Sequence, residues 1–254
     1  MSRVYALARR SVVRTLRQPA MVVPSIIFPL LLLSINSSGL DSATRLPGFP
    51  TDSYFQFALA IPFVQGALFS ANSAGTNVAS DIESGFLNRL ALTPLRRVAL
   101  MMGQLTGILA LGLIQAIAFL IVGIAFGDGL AGGPGGVVVL LLLSLTITLA
   151  FGCIGAFVAL RTGSGEAVQG VFPLFFAALF LSSMSLPRDL IATDWYRTVA
   201  TWNPVSYMLE GIRSLFITGW DGEALLLGFA CAGGLALIAL TAAAAALRTR
   251  MVRT

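Results

Sequence analysis

Six apolar runs, at about residues 20–36, 54–78, 98–126, 137–160, 167–186 and 223–247, leave this chain little choice but the membrane. Most reach the roughly 20 residues a helix needs to cross the hydrocarbon core, and the first is short at about 17. No Asp, Glu, Lys, Arg or His lies within the core of any run. A charge at the bilayer centre costs about 2.5–3.5 kcal/mol on insertion scales, so a protein that works with one there retains it. Its absence argues against proton-coupled transport. It also removes the acids, bases and metal ligands that intramembrane catalysis requires. If the protein moves something, the work must arrive from outside the spans.

The regions between the runs set the orientation. A net charge of +5 would suit nucleic-acid binding, but all sixteen basic residues are arginines and most flank apolar runs. That is how membrane topology is written, and no nucleic-acid partner is expected. If both termini share one side, that side carries twelve arginines and three acids, against four arginines and eight acids opposite. Positive residues stay cytoplasmic, so both termini are expected inside. Cys153 and Cys231 fall within apolar runs and histidine is absent, so neither a disulfide nor a metal site is expected.

Taken in order, residues 2–18 place Arg3, Arg10, Arg14 and Arg17 on one helical face and Val4, Leu7, Ala8 and Val12 on another. Such a helix lies in the headgroup region. A cleaved signal peptide is the competing reading, but Pro24 and Pro29 interrupt its core and Ser34-Ile35-Asn36 offers no cleavage pattern. Residues 37–53 are a polar loop and 161–166 a short turn. The glycine-rich turn Gly127–Gly136 lacks the Lys-Ser/Thr of a phosphate loop and takes no nucleotide role.

The stretch Ala79–Gly103 is the one sizeable charged interruption between two long runs. Ser80-x-x-Glu83 has capping-box spacing and predicts a helix start there. Ile82, Phe86 and Leu90 form an apolar stripe opposed by Glu83, Asn88 and Arg89, and Thr93-Pro94 ends one helix and opens the next. On periodicity alone the stretch is either a docking site for a soluble partner or an ordered interfacial loop.

Between the last two runs, Trp195, Trp202, Trp220, Tyr196 and Tyr207 form an aromatic belt on the outer side. Asn203-Pro204 supplies a cap and a first-turn proline. Val205, Met208, Leu209, Ile212, Leu215 and Phe216 mark the apolar face of the helix that follows, with Glu210 and Arg213 spaced to pair on the other. Too polar to span, it is expected to be re-entrant or to lie in the outer leaflet.

The spans still hold neutral polar groups: Gln65, Asn72, Ser73, Thr76 and Asn77 in the second, Gln104 and Gln115 in the third. Phe172, Phe175 and Phe176 concentrate aromatic area in the fifth. Such a mixture suits a large amphiphilic ligand, and it equally suits packing between helices. Gly103-x-x-x-Gly107 has small-residue spacing for close approach of another helix.

With these pieces in place, the chain resembles the membrane subunit of type-2 ABC exporters, most closely the daunorubicin-resistance-type multidrug permeases of bacteria. The resemblance covers nearly the whole chain and is carried by SDIESGFLNRLALTPLRR (80–97), EAVQGVFPLFFAALFLSSMSLP (166–187) and WNPVSYMLEGIRSLF (202–216). It implies an all-α integral membrane protein, a single permease domain over 1–254. Its parts would be six transmembrane helices, an N-terminal amphipathic connecting helix, a cytoplasmic coupling helix at 80–97 and outer re-entrant helices at 187–221. The coupling helix would dock a separate ATP-hydrolysing subunit through Asp81, Glu83, Ser84, Gly85, Phe86, Leu87, Arg89, Leu90, Thr93 and Pro94. Two membrane subunits, identical or homologous, would pair mainly through their first and fifth spans, with two ATPase subunits below. Candidate residues for a substrate path at the seam are Phe28, Phe57, Gln65, Phe69, Asn72, Phe172 and Phe176, with Asn203 and Pro204 at the outer gate. No cofactor is expected on this chain, because it holds no nucleotide-binding domain; ATP and Mg would sit in the partner. The implied activity is efflux of a drug, antibiotic or secondary metabolite across the bacterial cytoplasmic membrane. Export of a lipid or lipid-linked glycan belongs to the same class. A lipid-modifying membrane enzyme or a passive channel subunit are the readings from other classes.

Overall fold

A computed structural model describes residues 9–14, 17–86 and 97–252. Residues 9–14 are helical. They are followed by α1 (Pro19–Gly39), a 3-10 turn (Asp41–Arg45), α2 (Tyr54–Ala58) and α3 (Ala60–Glu83). Then come α4 (Arg97–Phe126), α5 (Gly133–Thr162) and α6 (Gly165–Phe180). A 3-10 turn at Arg188–Leu190, α7 (Asp194–Trp202), α8 (Pro204–Ile217) and α9 (Gly222–Val252) complete the chain. No strand occurs among the described residues.

Five stretches are long and apolar enough to cross a membrane: Pro19–Gly39, Tyr54–Glu83, Gly103–Phe126, Gly133–Thr162 and Gly222–Arg250. The second of them is the hub. Its α3 packs against α1, α4, α5 and α6, and its side chains are mostly buried, whereas α1 lies at the periphery. Two alcohols and an amide join three helices near this hub: Ser70 Oγ donates to Gln115 Oε1 (3.0 Å), and Gln115 Nε2 donates to Ser25 Oγ (2.8 Å). At the crossing of α3 and α5, a Cβ added at Gly155 would lie inside the van der Waals envelope of the Ala71 carbonyl, so only glycine allows the two backbones to come so near. Pro24 and Pro29 lie inside the unbroken α1.

Three expectations need correcting. The fifth run is not one helix over 167–186: α6 ends at Phe180 after sixteen residues, and turns follow. Sixteen residues rise about 24 Å, short of a hydrocarbon core of about 30 Å. The unwound backbone persists because side chains from elsewhere satisfy its carbonyls, as irregular backbone at membrane depth requires. Asn203 Nδ2 donates to Ala178 O (2.6 Å), Tyr196 Oη to Phe180 O (2.8 Å) and Ser182 O (3.1 Å), and Tyr54 Oη to Ser185 O (2.9 Å).

The second correction concerns Ser80 and Glu83. They close α3 rather than open a helix. Ser84 is the C-cap, its amide reaching back to the Ser80 and Ile82 carbonyls, and Gly85 follows at φ +67. That is the left-handed glycine ending common to helices. Glu83 Oε1 instead accepts from the Gly165 amide at the start of α6 (3.5 Å). Residues 87–96, among them Leu87, Arg89, Leu90, Thr93 and Pro94, lie outside the described residues.

The third correction is the pair on α8. Arg213 is buried, and Glu210 bonds elsewhere (Arg188 Nη2 to Glu210 Oε2, 2.7 Å). Arg213 shares a helical face with Leu209 and Phe216, four residues before it and three after, so it turns inward with the apolar residues. The rest of α8 matches expectation. Asn203 Oδ1 caps the Val205 amide (2.9 Å), Pro204 opens the helix, and all six residues of the expected apolar face are buried. Trp195, Trp202 and Trp220 are exposed.

Candidate functional site

Gln65, Phe69 and Asn72 stand at four- and three-residue steps along α3 and therefore share a face. Phe69 gathers the aromatics: its ring centre lies 5.8 Å from Phe28 on α1, and 5.4 Å and 6.2 Å from Phe172 and Phe176 on α6. Phe28 and Phe176 close the ring at 6.4 Å, and Phe172 and Phe176 stand 5.1 Å apart. Most of these contacts are edge-to-face, a geometry that adds to simple area burial. The cluster is not sealed, since Phe28 remains 42% exposed where α1 meets the surface.

The polar tips on this face are under-satisfied. Gln65 Oε1 and Asn72 Oδ1 are buried without a hydrogen-bond partner. A buried orphan acceptor costs about 1–3 kcal/mol, and such groups in native proteins call for an explanation. The structure therefore brings together six of the seven expected path residues or sets them on one face. Phe57 is the exception. It lies fully buried beneath Arg213, whose guanidinium sits 3.6 Å from the ring centre.

Arg213 organises the tryptophan end. Its Nε donates to the Phe57 carbonyl (3.1 Å), at the break between α2 and α3, and its Nη2 to the Ser183 and Met184 carbonyls (3.2 Å and 3.4 Å) past α6. One side chain on α8 thus joins the ends of the second and fifth runs that lie beside the tryptophans. Burial pulls the Arg213 pKa down to about 10, against the pull of Glu210 and Tyr54, so it is charged at neutral pH. Glu210 accepts from Ser183 Oγ (3.0 Å) and pairs with Arg188, whose guanidinium also lies 4.4 Å over Tyr207. Burial opposes the charge on Arg188, but Glu210 and Tyr207 outweigh it and its pKa moves up.

At the arginine-rich end, residues 9–14 lie across the foot of α3. Asp81 Oδ1 accepts from Arg14 Nη1 (2.8 Å) and Arg10 Nη2 (3.5 Å), and Arg10 stacks 3.8 Å over Phe86. A Cβ on Gly107 would collide with Ser11, so the expected close approach at that glycine is made by the N-terminal segment. Asp81, Glu83, Ser84, Gly85 and Phe86 therefore form a braced end to the second span.

Among the described residues, no group of three or more His, Cys, Asp and Glu is placed to hold a metal ion. Cys153 and Cys231 are free thiols.

A family model for ABC-2 type transporters matches residues 2–217. The chain belongs to that family. The ycf38 protein of Porphyra purpurea, named as a transport permease, is 29% identical over 222 residues, covering 86% of this chain and 75% of its own length. The ycf38 proteins of Pyropia yezoensis and Cyanophora paradoxa, similarly named, are 27% and 26% identical over 84% of the chain and 73% of their own lengths. This permease is thus a multi-pass transmembrane subunit of an ABC transporter, as its motifs implied, and not itself an enzyme. Family membership implies a nucleotide-binding ATPase subunit as its partner.

Two functional features escaped the sequence reading. The Asp81 tie to residues 10 and 14 is invisible because the partners stand far apart in the chain. Arg213 had a signal in its spacing from Leu209 and Phe216, masked by the i, i+3 spacing to Glu210.

Proposed function

We propose that this permease exports a hydrophobic or amphiphilic compound, such as a drug, antibiotic or secondary metabolite, with ATP and Mg held by the separate ATPase subunit. The observation that carries the reading is the aromatic cluster of Phe28, Phe69, Phe172 and Phe176 beside two buried, unpartnered amide oxygens on α3. An amphiphile needs apolar area for its body and a few acceptors for its polar groups, and this face offers both. Because α1 and α6 are peripheral and short of cover, a second permease subunit, identical or homologous, pairs along them and turns the face into a path. The braced foot of α3 receives the ATPase, and Asn203 with Pro204 fixes the outer cover. On this reading the arginine-rich end faces the cytoplasm and the membrane is a bacterial plasma membrane. The test is ATP-dependent uptake of hydrophobic dyes into inverted vesicles carrying the permease and its ATPase. Phe69→Ala and Asn72→Leu are expected to cut uptake at least fivefold at unchanged protein level; undiminished uptake in both would refute the path.

A further inference from the structure

A cavity of about 70 Å³ lies where residues 9–14 cross the feet of α3 and α4. Its polar end is formed by Arg10, Arg14, Asp81, Asn77 and Gln104. Its walls mix aliphatic side chains, Val78 on α3, Ile108 and Leu111 on α4 and Leu247 on α9, with the hydroxyls of Ser11, Ser70 and Ser73. The two guanidiniums share one carboxylate oxygen, that of Asp81, and no other acid lines the space. One positive charge is therefore in excess. Arg10 is held flat by Phe86 yet keeps 46% of its side chain exposed, so its edge is both oriented and reachable.

A solvated basic surface would have the same charge, but it would lack the neutral amides at the head and the four aliphatic side chains beneath. A planar guanidinium with extra donors matches the oxygens of a phosphate group. The aliphatic side chains beside it match the first carbons next to such a group. We propose that this cavity binds a phospholipid with a net anionic headgroup, drawn from the leaflet in which residues 9–14 lie. Arg10 and Arg14 hold the phosphate, Asn77 and Gln104 bond the rest of the head, and the acyl chains extend out of the cavity into the bilayer. The site explains why a basic amphipathic segment is fixed here rather than loose on the membrane: the lipid head joins it to the transport helices. Anionic lipids enriched near basic segments supply the ligand.

The inference rests on placing this end at the inner leaflet, and its test uses neither ATP, partner nor transport, so failure of the export reading leaves it standing. The purified full chain, in a neutral maltoside detergent, is titrated with dihexanoyl phosphatidylglycerol, dihexanoyl phosphatidylcholine and inorganic phosphate by thermophoresis. The phosphatidylglycerol is expected to bind at least tenfold tighter than either control. Arg10→Gln weakens it about tenfold, the loss of one charge-assisted contact. Gln104→Leu, which leaves every charge in place, weakens it severalfold and carries the test if Arg10→Gln fails to fold. Asp81→Asn removes the competing carboxylate and tightens binding, whereas a merely structural ion pair would loosen the segment and weaken it. Equal binding of phosphatidylcholine, phosphate binding as tight as the lipid, or weaker binding by Asp81→Asn overturns the proposal.

Discussion

Replacing Arg213 with methionine tests how the tryptophan end is held. The methionine fills similar volume but leaves the carbonyls of Phe57, Ser183 and Met184 without their donor, and Glu210 loses a nearby positive charge. Hydrogen bonds to a charged group contribute about 1.5–3 kcal/mol each, and a buried cation over a ring adds about 1–2 kcal/mol. These terms are not additive, and burying the guanidinium is itself costly, so the net loss is set at about 3–5 kcal/mol, the cost of breaking a buried charged network. Arg213→Lys keeps the charge, but an ammonium cannot aim donors at both Phe57 and the 183–184 turn, so about half that loss is expected. Glu210→Gln is expected to cost about 1 kcal/mol or less, because its partner Arg188 is partly exposed and the Ser183 hydroxyl retains an acceptor. The assay is unfolding in mixed micelles with rising SDS fraction, read by the fluorescence of Trp195, Trp202 and Trp220, all of which sit at this end. The predicted order of stability is wild type, Glu210→Gln, Arg213→Lys, Arg213→Met. An Arg213→Met protein as stable as wild type would refute the account of how the turn after α6 survives.

Other perturbations separate strong contacts from weak ones. Gly155→Val forces α3 and α5 apart and is expected to lose about 1–3 kcal/mol or more, seen as a lowered midpoint in the same SDS titration. Gln115→Leu removes both bonds of the Ser70–Gln115–Ser25 chain, yet it is expected to cost only about 1 kcal/mol, since each such bond is worth about 0.6 kcal/mol in membranes and Ser25 also donates to the Val22 carbonyl. Asp81→Leu frees Arg10 and Arg14 at the foot of α3 and is expected to lower cargo-stimulated ATP hydrolysis severalfold while leaving basal hydrolysis by the partner intact, as a phosphate-release assay would show.

What the sequence revealed divides by range. Asn203-Pro204 was legible because a cap and its proline act within one turn, and the inward face of α8 was legible because its spacing is helical along its whole length. The long spans were legible because a lipid solvent leaves a helix no rival. The ending of α6 at Phe180 was not, since no charge or proline falls between Phe180 and Pro187, and the carbonyls at and just past the helix end are met by Tyr54, Tyr196, Asn203 and Arg213 from distant positions. Ser80 and Glu83 misled because capping-box spacing is short enough to occur at a helix end, where Gly85 was the better guide. The residues expected along a path are only partly neighbours in space. Phe28, Phe69, Phe172 and Phe176 converge, whereas Phe57 serves Arg213 instead.

The account stands on work entering through the braced foot of α3 from a separate ATPase. A cysteine at position 86, in a Cys153→Ser, Cys231→Ser background, is the direct probe when the permease is reconstituted with its ATPase and a short thiol-to-amine cross-linker. The account predicts a cross-link to the ATPase whose formation abolishes ATP-driven dye movement without blocking basal hydrolysis. Dye movement that proceeds unchanged in the cross-linked complex, or in vesicles lacking the ATPase altogether, would contradict it.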